Sequence, residues 1–291
     1  MLTTIEKSDK VLIYDFSNFA FLVYFAQGFR ELKTKNGLSS GLVYGTLRKI
    51  ISQVREFSED CNLALVFALD EFPKHKRELV PSYKMNREKR EEDPRPVVMN
   101  ILSNSKCYFV KSKGQEADDV IATLVRRFEG KDIIVGSADQ DLLQLRNEKG
   151  VRNYNITMNE FFTIKWFKEK YGLDDWNKIT IFKACFGDTS DNIKPALPRV
   201  RKKDVLPYIN EAKDFEHFKI VYGLAKKTDK TQALWDTNQK ELNNNYKIIK
   251  LDPECKLLKK RSKPSMKNLV DICQKYEIES LTRKDLEVLL K

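Results

Sequence analysis

Two hydrophobic patterns alternate along this chain and limit the folds open to it. Short continuous apolar runs, KVLIYDF, NLALVFALD, CYFV and DIIVG, are separated by segments with helical spacing. An unbroken run of this length is the mark of a strand buried on both faces, which a parallel sheet covered by helices requires. Ser17 to Phe29 reads as an apolar helix. Ser39 or Ser40 is placed to cap a longer one reaching about Phe57, with Leu42, Leu47, Ile50, Ile51 and Val54 on its inner face. Val120, Ile121, Leu124, Val125 and Phe128 share a helical face, and LLQL starts a further helix. The alternation predicts an α/β fold with a mostly parallel central sheet covered by helices. After Asp191 the strand signal stops. Helical patterns follow at Lys202 to Asn210, Phe215 to Ala225, Thr231 to Ile249 and twice after Ser265, so the chain divides into an α/β core, 1–192, and a helical region, 193–291.

Several classes of function are excluded by what is scarce. The longest apolar stretch, FAFLVYFA, has eight residues, too few to span a membrane, and the N-terminus MLTTIEKSDK is no signal peptide. Five cysteines without a CxxC pair argue against a disulfide framework or a thiolate zinc site, and for a reducing, cytoplasmic setting. The two histidines, His75 and His217, cannot build a histidine zinc site or a Ser/His/Asp triad. Chemistry here is expected to run on carboxylates, lysines and metal. Net charge is +11, and the segment from Lys194 onward supplies +9 of it, with 23 Lys/Arg against 14 Asp/Glu. Such an excess is either a solvated surface or the footprint of a polyanion. The stretch from Phe72 to about Arg95 carries eight basic and five acidic residues with almost no apolar period, and reads as an exposed excursion.

The acids fall where the strands end. VLIYD ends at Asp15, ALVFALD at Asp70, and DIIVGSADQD at Asp139 and Asp141. In a parallel sheet these ends share one edge, outside which ligand sites form. The stretch QEADD lies between the third strand and its helix, so Glu116, Asp118 and Asp119 reach the same edge. FGDTSDNI adds Asp188 and Asp191 at the end of an apolar helix. One strand-end Asp is ordinarily a turn or cap residue. Nine acids are another matter, because two bare carboxylates about 4 Å apart repel by roughly 4 kcal/mol at an effective dielectric near 20. Such a cluster needs cations or raised pKa values. All-oxygen ligands select magnesium or manganese, and two such ions clamp a phosphodiester and activate water.

Taken in order, these motifs resemble the 5′-nuclease superfamily, which includes flap endonucleases, the 5′-nuclease domain of bacterial DNA polymerase I and bacteriophage 5′-3′ exonucleases. The resemblance runs from about Val11 to Asn192 through LIYDFSN, FALD, PSYKMNR, QEADDVIA, SADQDLLQL and FGDTSDNI. It implies a PIN-like nuclease fold with an arch at about 72–106. It implies that Asp15, Asp70, Glu116 and Asp118 hold or orient one Mg2+ or Mn2+, that Asp139, Asp141 and Asp188 serve a second, and that Asp119 and Asp191 are shared or outer ligands. Tyr83, Lys84 and Arg87 would serve the catalytic step, with Lys84 and Arg87 meeting the scissile phosphate. Lys74, Lys76, Arg77 and Arg90 of the arch would meet nucleic acid. The implied activity is 5′-3′ exonuclease and flap endonuclease action on DNA with 5′ flaps, nicks or RNA–DNA junctions, in replication or repair of a phage type. The protein would be a monomer, with single-strand binding protein or sliding clamp as partners and no membrane.

One departure qualifies the resemblance. Where the superfamily carries a glycine-rich helix–hairpin–helix, this chain reads IKPALPRVRKKDV. Pro195 and Pro198 lack N–H donors. Arg199, Arg201, Lys202 and Lys203 are expected to grip phosphate by charge instead, which leaves open whether the hairpin and its bound potassium ion survive. Rival readings are a receiver or phosphatase, a PIN-type ribonuclease and a non-catalytic junction-binding protein. The first lacks E-A-D-D, the second is shorter and lacks the arch, and the third would have lost acids.

Overall fold

The computed structural model describes residues 3–26, 28–29, 31–58, 61–86, 92–225 and 229–291. The chain runs α1 (Thr3–Glu6), β1 (Lys10–Asp15), α2 (Phe16–Phe25), α3 (Gly41–Phe57), β2 (Leu63–Ala68), α4 (Lys74–Leu79), α5 (Arg95–Ser103), β3 (Tyr108–Ser112) and α6 (Ala117–Arg127). It continues through β4 (Asp132–Gly136), a 3-10 helix (Asp141–Asn147), β5 (Val151–Asn155), β6 (Glu160–Phe161), α7 (Ile164–Tyr171), α8 (Lys178–Phe186), α9 (Lys202–Glu211), α10 (Phe215–Ala225) and α11 (Asp229–Ile249). β7 (Leu257–Arg261), α12 (Met266–Lys275), α13 (Arg283–Glu287) and a last 3-10 turn close the chain.

The seven strands form one sheet in the order β6-β5-β4-β1-β2-β3-β7. β1 to β5 pair in parallel, while β6 and β7 join the two ends antiparallel. Alternate strand residues feed two cores, as the pleat requires. Leu12, Tyr14, Leu65, Phe67, Phe109 and Ile134 face α2, α3, α5, α12 and α13. Val11, Ile13, Val66, Val110, Ile133 and Val135 face α6 and α1. A third core, built from α7 to α11, takes in Tyr83 from the arch region.

The expected alternation is present, with differences of physical interest. Strands do not stop after Asp191. β7 returns the chain to the sheet beside β3, and its residues Leu257, Leu258, Lys259, Lys260 and Arg261 form a half-exposed edge that carries no buried-strand signature. β5, with Arg152 and Asn153, is likewise a strand without an apolar run. The segment after Asp141 winds as a 3-10 helix, and the excursion after Phe72 contains α4. Ser40 stands at the N-cap of α3, but its side chain makes no capping hydrogen bond.

Candidate metal centre

The C-terminal ends of β1, β2 and β4 lie side by side, and each delivers an acid. Asp15 is the N-cap of α2, its Oδ1 accepting from the Asn18 N–H at 3.0 Å. Asn18 in turn accepts from the Ala138 N–H at 3.1 Å, which ties the end of β1 to the turn after β4. Asp70 accepts from the N–H of Ala117 at 2.9 Å, so a carboxylate from β2 sits on the open N-terminus of α6. Asp139 accepts from the Asp141 N–H at 2.9 Å and shapes the turn that presents both. Gly187, at φ 76, ends α8; a Cβ there would meet the carbonyl oxygen of Ile193 at 2.5 Å, so only glycine allows the reversal that brings Asp188 back.

These acids act on one another electrically. Burial first, then Asp70 and Asp139, push Asp15 up to about 8. Asp118 is raised well above the usual carboxylate range by burial, Asp139 and Asp15. Burial raises Asp141 to about 7 against the pull of Lys183, with Asp139 adding to the rise. Asp188 is partly buried, but Lys183 and Ser190 outweigh that and lower it. Lys183 makes an ion pair with Asp141 and another, at 2.7 Å, with Asp188. Burial works against its charge, but the two acids outweigh burial and hold it protonated.

A second group centres on Glu116. Its Oε1 accepts from Lys84 at 2.6 Å, and its Oε2 from Lys76 at 2.8 Å and the Tyr83 hydroxyl at 2.7 Å. Burial would raise its carboxyl, yet Lys76 and Lys84 hold it down at about 2. Tyr83 is kept a phenol by burial and by Glu116. Lys84 has φ 54, a left-handed conformation rare outside glycine, and such strain gathers at functional sites. Its N–H donates to the Asp191 carbonyl at 2.9 Å and its Nζ lies 3.5 Å from the Asp191 carboxylate. Asn192 donates to the Ser82 carbonyl at 2.8 Å and Asn86 to that of Thr189 at 3.0 Å, so the segment after α4 is stitched to the loop after α8.

Asp15, Asp70, Asp118, Asp139, Asp141 and Asp188 are thus placed in one electrostatically coupled row, with Glu116 and Asp191 on Lys84 beside it. Asp119 points away, its Oδ1 accepting from the Asp252 N–H at 2.9 Å. Lys76, expected on an exposed arch, is instead 4% exposed. Lys74 is exposed and pairs with Glu78 at 3.7 Å, and the Arg77 guanidinium lies over the Phe72 ring at 4.7 Å. Arg87 and Arg90 lie outside the described residues. Arg199 adopts φ 65, Arg201 pairs with Asp204 at 2.8 Å, Lys202 lies 5.1 Å over the Phe182 ring, and Lys203 is exposed. The bridging role of Lys183 escaped the sequence reading; the signal was a lone lysine inside the apolar helix KITIFKACF.

The chemistry of the row suits a divalent cation. Asp118 Oδ1 is buried without a hydrogen-bond partner, the donors are all oxygen, and the carboxyls of Asp15, Asp118 and Asp141 are raised by burial and then by the neighbouring acids, the two effects that a bound cation relieves. Among the described residues no three Asp, Glu, His or Cys side chains close a coordination shell on their own. The donor chemistry therefore fits hard divalent ions, and the lysines that bridge the acids supply the positive charge meanwhile.

A parallel sheet with acids along its C-terminal edge, and Lys84 held beside them by Glu116, is the arrangement expected of a 5′-nuclease. Residues 10–172 match the model of the 5′-3′ exonuclease N-terminal resolvase-like domain. The chain is 30% identical to a 5′-3′ exonuclease of Aquifex aeolicus over 94% of its own length and 93% of the relative's. It is also 30% identical to the DNA polymerase I of Caldicellulosiruptor bescii over 71% of its length, and spans only 25% of that longer protein. Among solved structures, T5 5′-exonuclease with bound divalent zinc superposes with a TM-score of 0.66 at 18% identity, covering 97% of this chain and 100% of that one. Flap endonuclease-1 from Methanococcus jannaschii superposes at 0.57 with 14% identity, covering 98% and 92%. The chain belongs to the 5′-3′ exonuclease family, within the 5′-nuclease superfamily, and is a nuclease of that kind. No helix among the described residues is long and apolar enough to cross a membrane.

Proposed function

We propose that the protein is a divalent-metal-dependent, structure-specific 5′-3′ exonuclease and flap endonuclease that hydrolyses phosphodiesters near 5′ ends and junctions of DNA, removing RNA primers or 5′ flaps in phage-type replication. The observation that carries this reading is the gathering of acids at one sheet edge, Asp15, Asp118 and Asp141 each facing Asp139, with the buried Oδ1 of Asp118 left without a hydrogen-bond partner. The zinc bound by T5 5′-exonuclease and the DNA bound by other solved neighbours, the catalytic core of Rad2 among them, support it. Asp15, Asp70 and Asp118 would hold one Mg2+ or Mn2+, oriented by Glu116, and Asp139, Asp141 and Asp188 the other. Bound there, the ions supply an activated water and neutralise charge on the phosphate oxygens.

The chain's own residues do the rest. Lys84, fixed by Glu116 and strained into a left-handed turn, meets the scissile phosphate as negative charge gathers on it. Tyr83 keeps its proton and holds Glu116 in place behind Lys84. Ser190 donates to Asp188 through both N–H, at 2.9 Å, and hydroxyl, at 2.5 Å, and keeps that carboxylate ionised at the row's far end.

The test is digestion of 5′-end-labelled flap, nicked and RNA-primed duplexes with magnesium, manganese or EDTA. Cleavage is expected with either ion, on flaps and primers ahead of plain single strands. Full activity in EDTA, or in a protein carrying Asp70→Asn with Asp188→Asn, removes the metal reading.

A further inference from the structure

Beyond the acids of the row, one buried chain of alternating charge runs through the molecule. Asp119 Oδ2 lies 3.1 Å from Lys76 Nζ, an ion pair whose geometry falls short of a hydrogen bond. Lys76 Nζ reaches Glu116 at 2.8 Å, and Glu116 reaches Lys84 at 2.6 Å. The side chains of Lys76, Glu116 and Asp119 are 5%, 6% and 1% exposed. Burying a lysine this deeply costs several kcal/mol, and two acids beside it offset that cost only when the geometry is good. Such a triad adds little net stability and is best suited to fixing one arrangement.

The far end of the chain is anchored as firmly. Asp119 Oδ1 accepts the Asp252 N–H, and Thr123, one turn further along α6, donates its hydroxyl to the Asp119 carbonyl at 2.9 Å and accepts the Cys255 N–H at 3.1 Å. Both Asp119 oxygens are therefore committed, one to the strap between α11 and β7 and one to Lys76 on α4. Asp118 Oδ1 and Asp119 Oδ2 are alike in being buried without a hydrogen-bond partner. The two adjacent acids differ in their neighbours, because Asp119 alone lies against Lys76 and accepts from the strap.

We infer that Lys76 and Asp119 are positioning residues: they lock Glu116 from behind, so that Glu116 holds Lys84 at the reacting phosphate, and Asp119 takes no part in holding metal. This rests on the proposed nuclease reading for its catalytic end, but the lock itself can be read without catalysis. The sequence would suggest a surface role for Lys76 and a ligand role for Asp119, and the geometry gives each a different one. The strap is part of the same device, because Asp119 cannot turn toward the acid row without releasing Asp252.

The experiment compares wild type with Lys76→Met, Lys76→Arg and the charge-balanced double variant Lys76→Met with Asp119→Asn. Three quantities are read: acetylation of Lys84 by acetic anhydride, followed by mass spectrometry on the metal-free protein; manganese affinity by calorimetry; and single-turnover cleavage of a 5′ flap duplex. Loss of the lock should raise Lys84 acetylation about three-fold or more in both Met variants, as local protection is lost. The cleavage rate should fall about ten-fold while manganese affinity stays within about two-fold. Arginine, which keeps the charge and both partners, should restore protection and most of the rate. Unchanged Lys84 protection in the folded double variant overturns the inference. So does manganese affinity falling in step with the rate, and so does a double variant that cannot fold, which would make Lys76 a strut and nothing more. A wild-type protein that cleaves no substrate removes the nuclease reading, and Lys84 acetylation still decides the lock.

Discussion

Asp15 and Glu116 are both buried carboxyls within one site, and their protons behave oppositely. Glu116, with two ammonium partners, is held at about 2, so its contribution to stability is complete above the ordinary carboxylate range and is lost as pH falls toward 2. Asp15, facing other acids, is raised to about 8, and Asp141 to about 7. For these two the unfolded chain loses its proton near pH 4 while the folded chain keeps it, so the unfolded state binds fewer protons between about pH 4 and pH 8. Stability of the metal-free protein should therefore fall as pH rises through that window. Asp15→Asn removes the larger part of the penalty and keeps an acceptor for the Asn18 N–H. The variant is expected to melt above wild type at pH 8, by about 3 °C for each kcal/mol recovered in a chain of this size, and to match it at pH 4. Differential scanning fluorimetry in EDTA at constant ionic strength measures this, and a wild-type melting point that does not fall between pH 5 and pH 8 contradicts it. Divalent ions select the ionised forms, so their binding should release protons below pH 8.

Among the elements, one contact joins two segments far apart in sequence, the stretch after α4 and the loop after α8. Asn192 carries it, with φ 55 and a side-chain donor to the Ser82 carbonyl at 2.8 Å. Asn192→Gly keeps the backbone conformation and loses the tie; Asn192→Ala loses both, and the left-handed conformation adds about 1 kcal/mol for a residue with a Cβ. Both variants should slow single-turnover cleavage several-fold, and urea melts should show alanine less stable than glycine by that amount. Equal rates in glycine variant and wild type would mean that the stretch after α4 needs no such tie. What could be read from sequence at this scale follows the same physics. β1, β2, β3 and β4 were legible because a strand buried on both faces must be continuously apolar, and their terminal acids stand out against that background. β7 and β5 were not, because an edge strand and a strand bordered by a two-residue hairpin partner tolerate Lys259, Lys260, Arg152 and Asn153. Lys76 was misleading for a related reason: a lysine in a charged stretch looks solvated, and only the fold brings Glu116 and Asp119 to it. The acids themselves were legible as a group, but their division between the row, Lys84 and Lys76 depends on side-chain directions that spacing alone does not carry.

Across the whole molecule the charge is divided, with the acids gathered at one sheet edge and +9 of the +11 carried from Lys194 onward. The first basic residues of that region follow directly on the acid-bearing loop, so a duplex gripped there would be delivered to the row by chain connectivity. Arg201 spends part of its charge on Asp204, and Lys202 lies over the Phe182 ring, which pre-orients both side chains at the start of α9. Pro195 and Pro198 deny this loop the backbone donors through which a glycine-rich hairpin holds phosphate. Grip by side-chain charge releases counterions, and the logarithm of affinity then falls with the logarithm of salt by about 0.9 for each phosphate neutralised. Replacing Arg199, Arg201, Lys202 and Lys203 together by glutamine should flatten that slope by about 2 or more, after discounting the charge Asp204 already meets. Duplex affinity should fall with it, while cleavage at low salt with enzyme in excess survives, because the carboxylate row is untouched. Potassium and sodium at equal ionic strength should support the same binding by fluorescence anisotropy. An unchanged slope in the fourfold variant, or a requirement for potassium, would show that the backbone of this loop holds the phosphates after all.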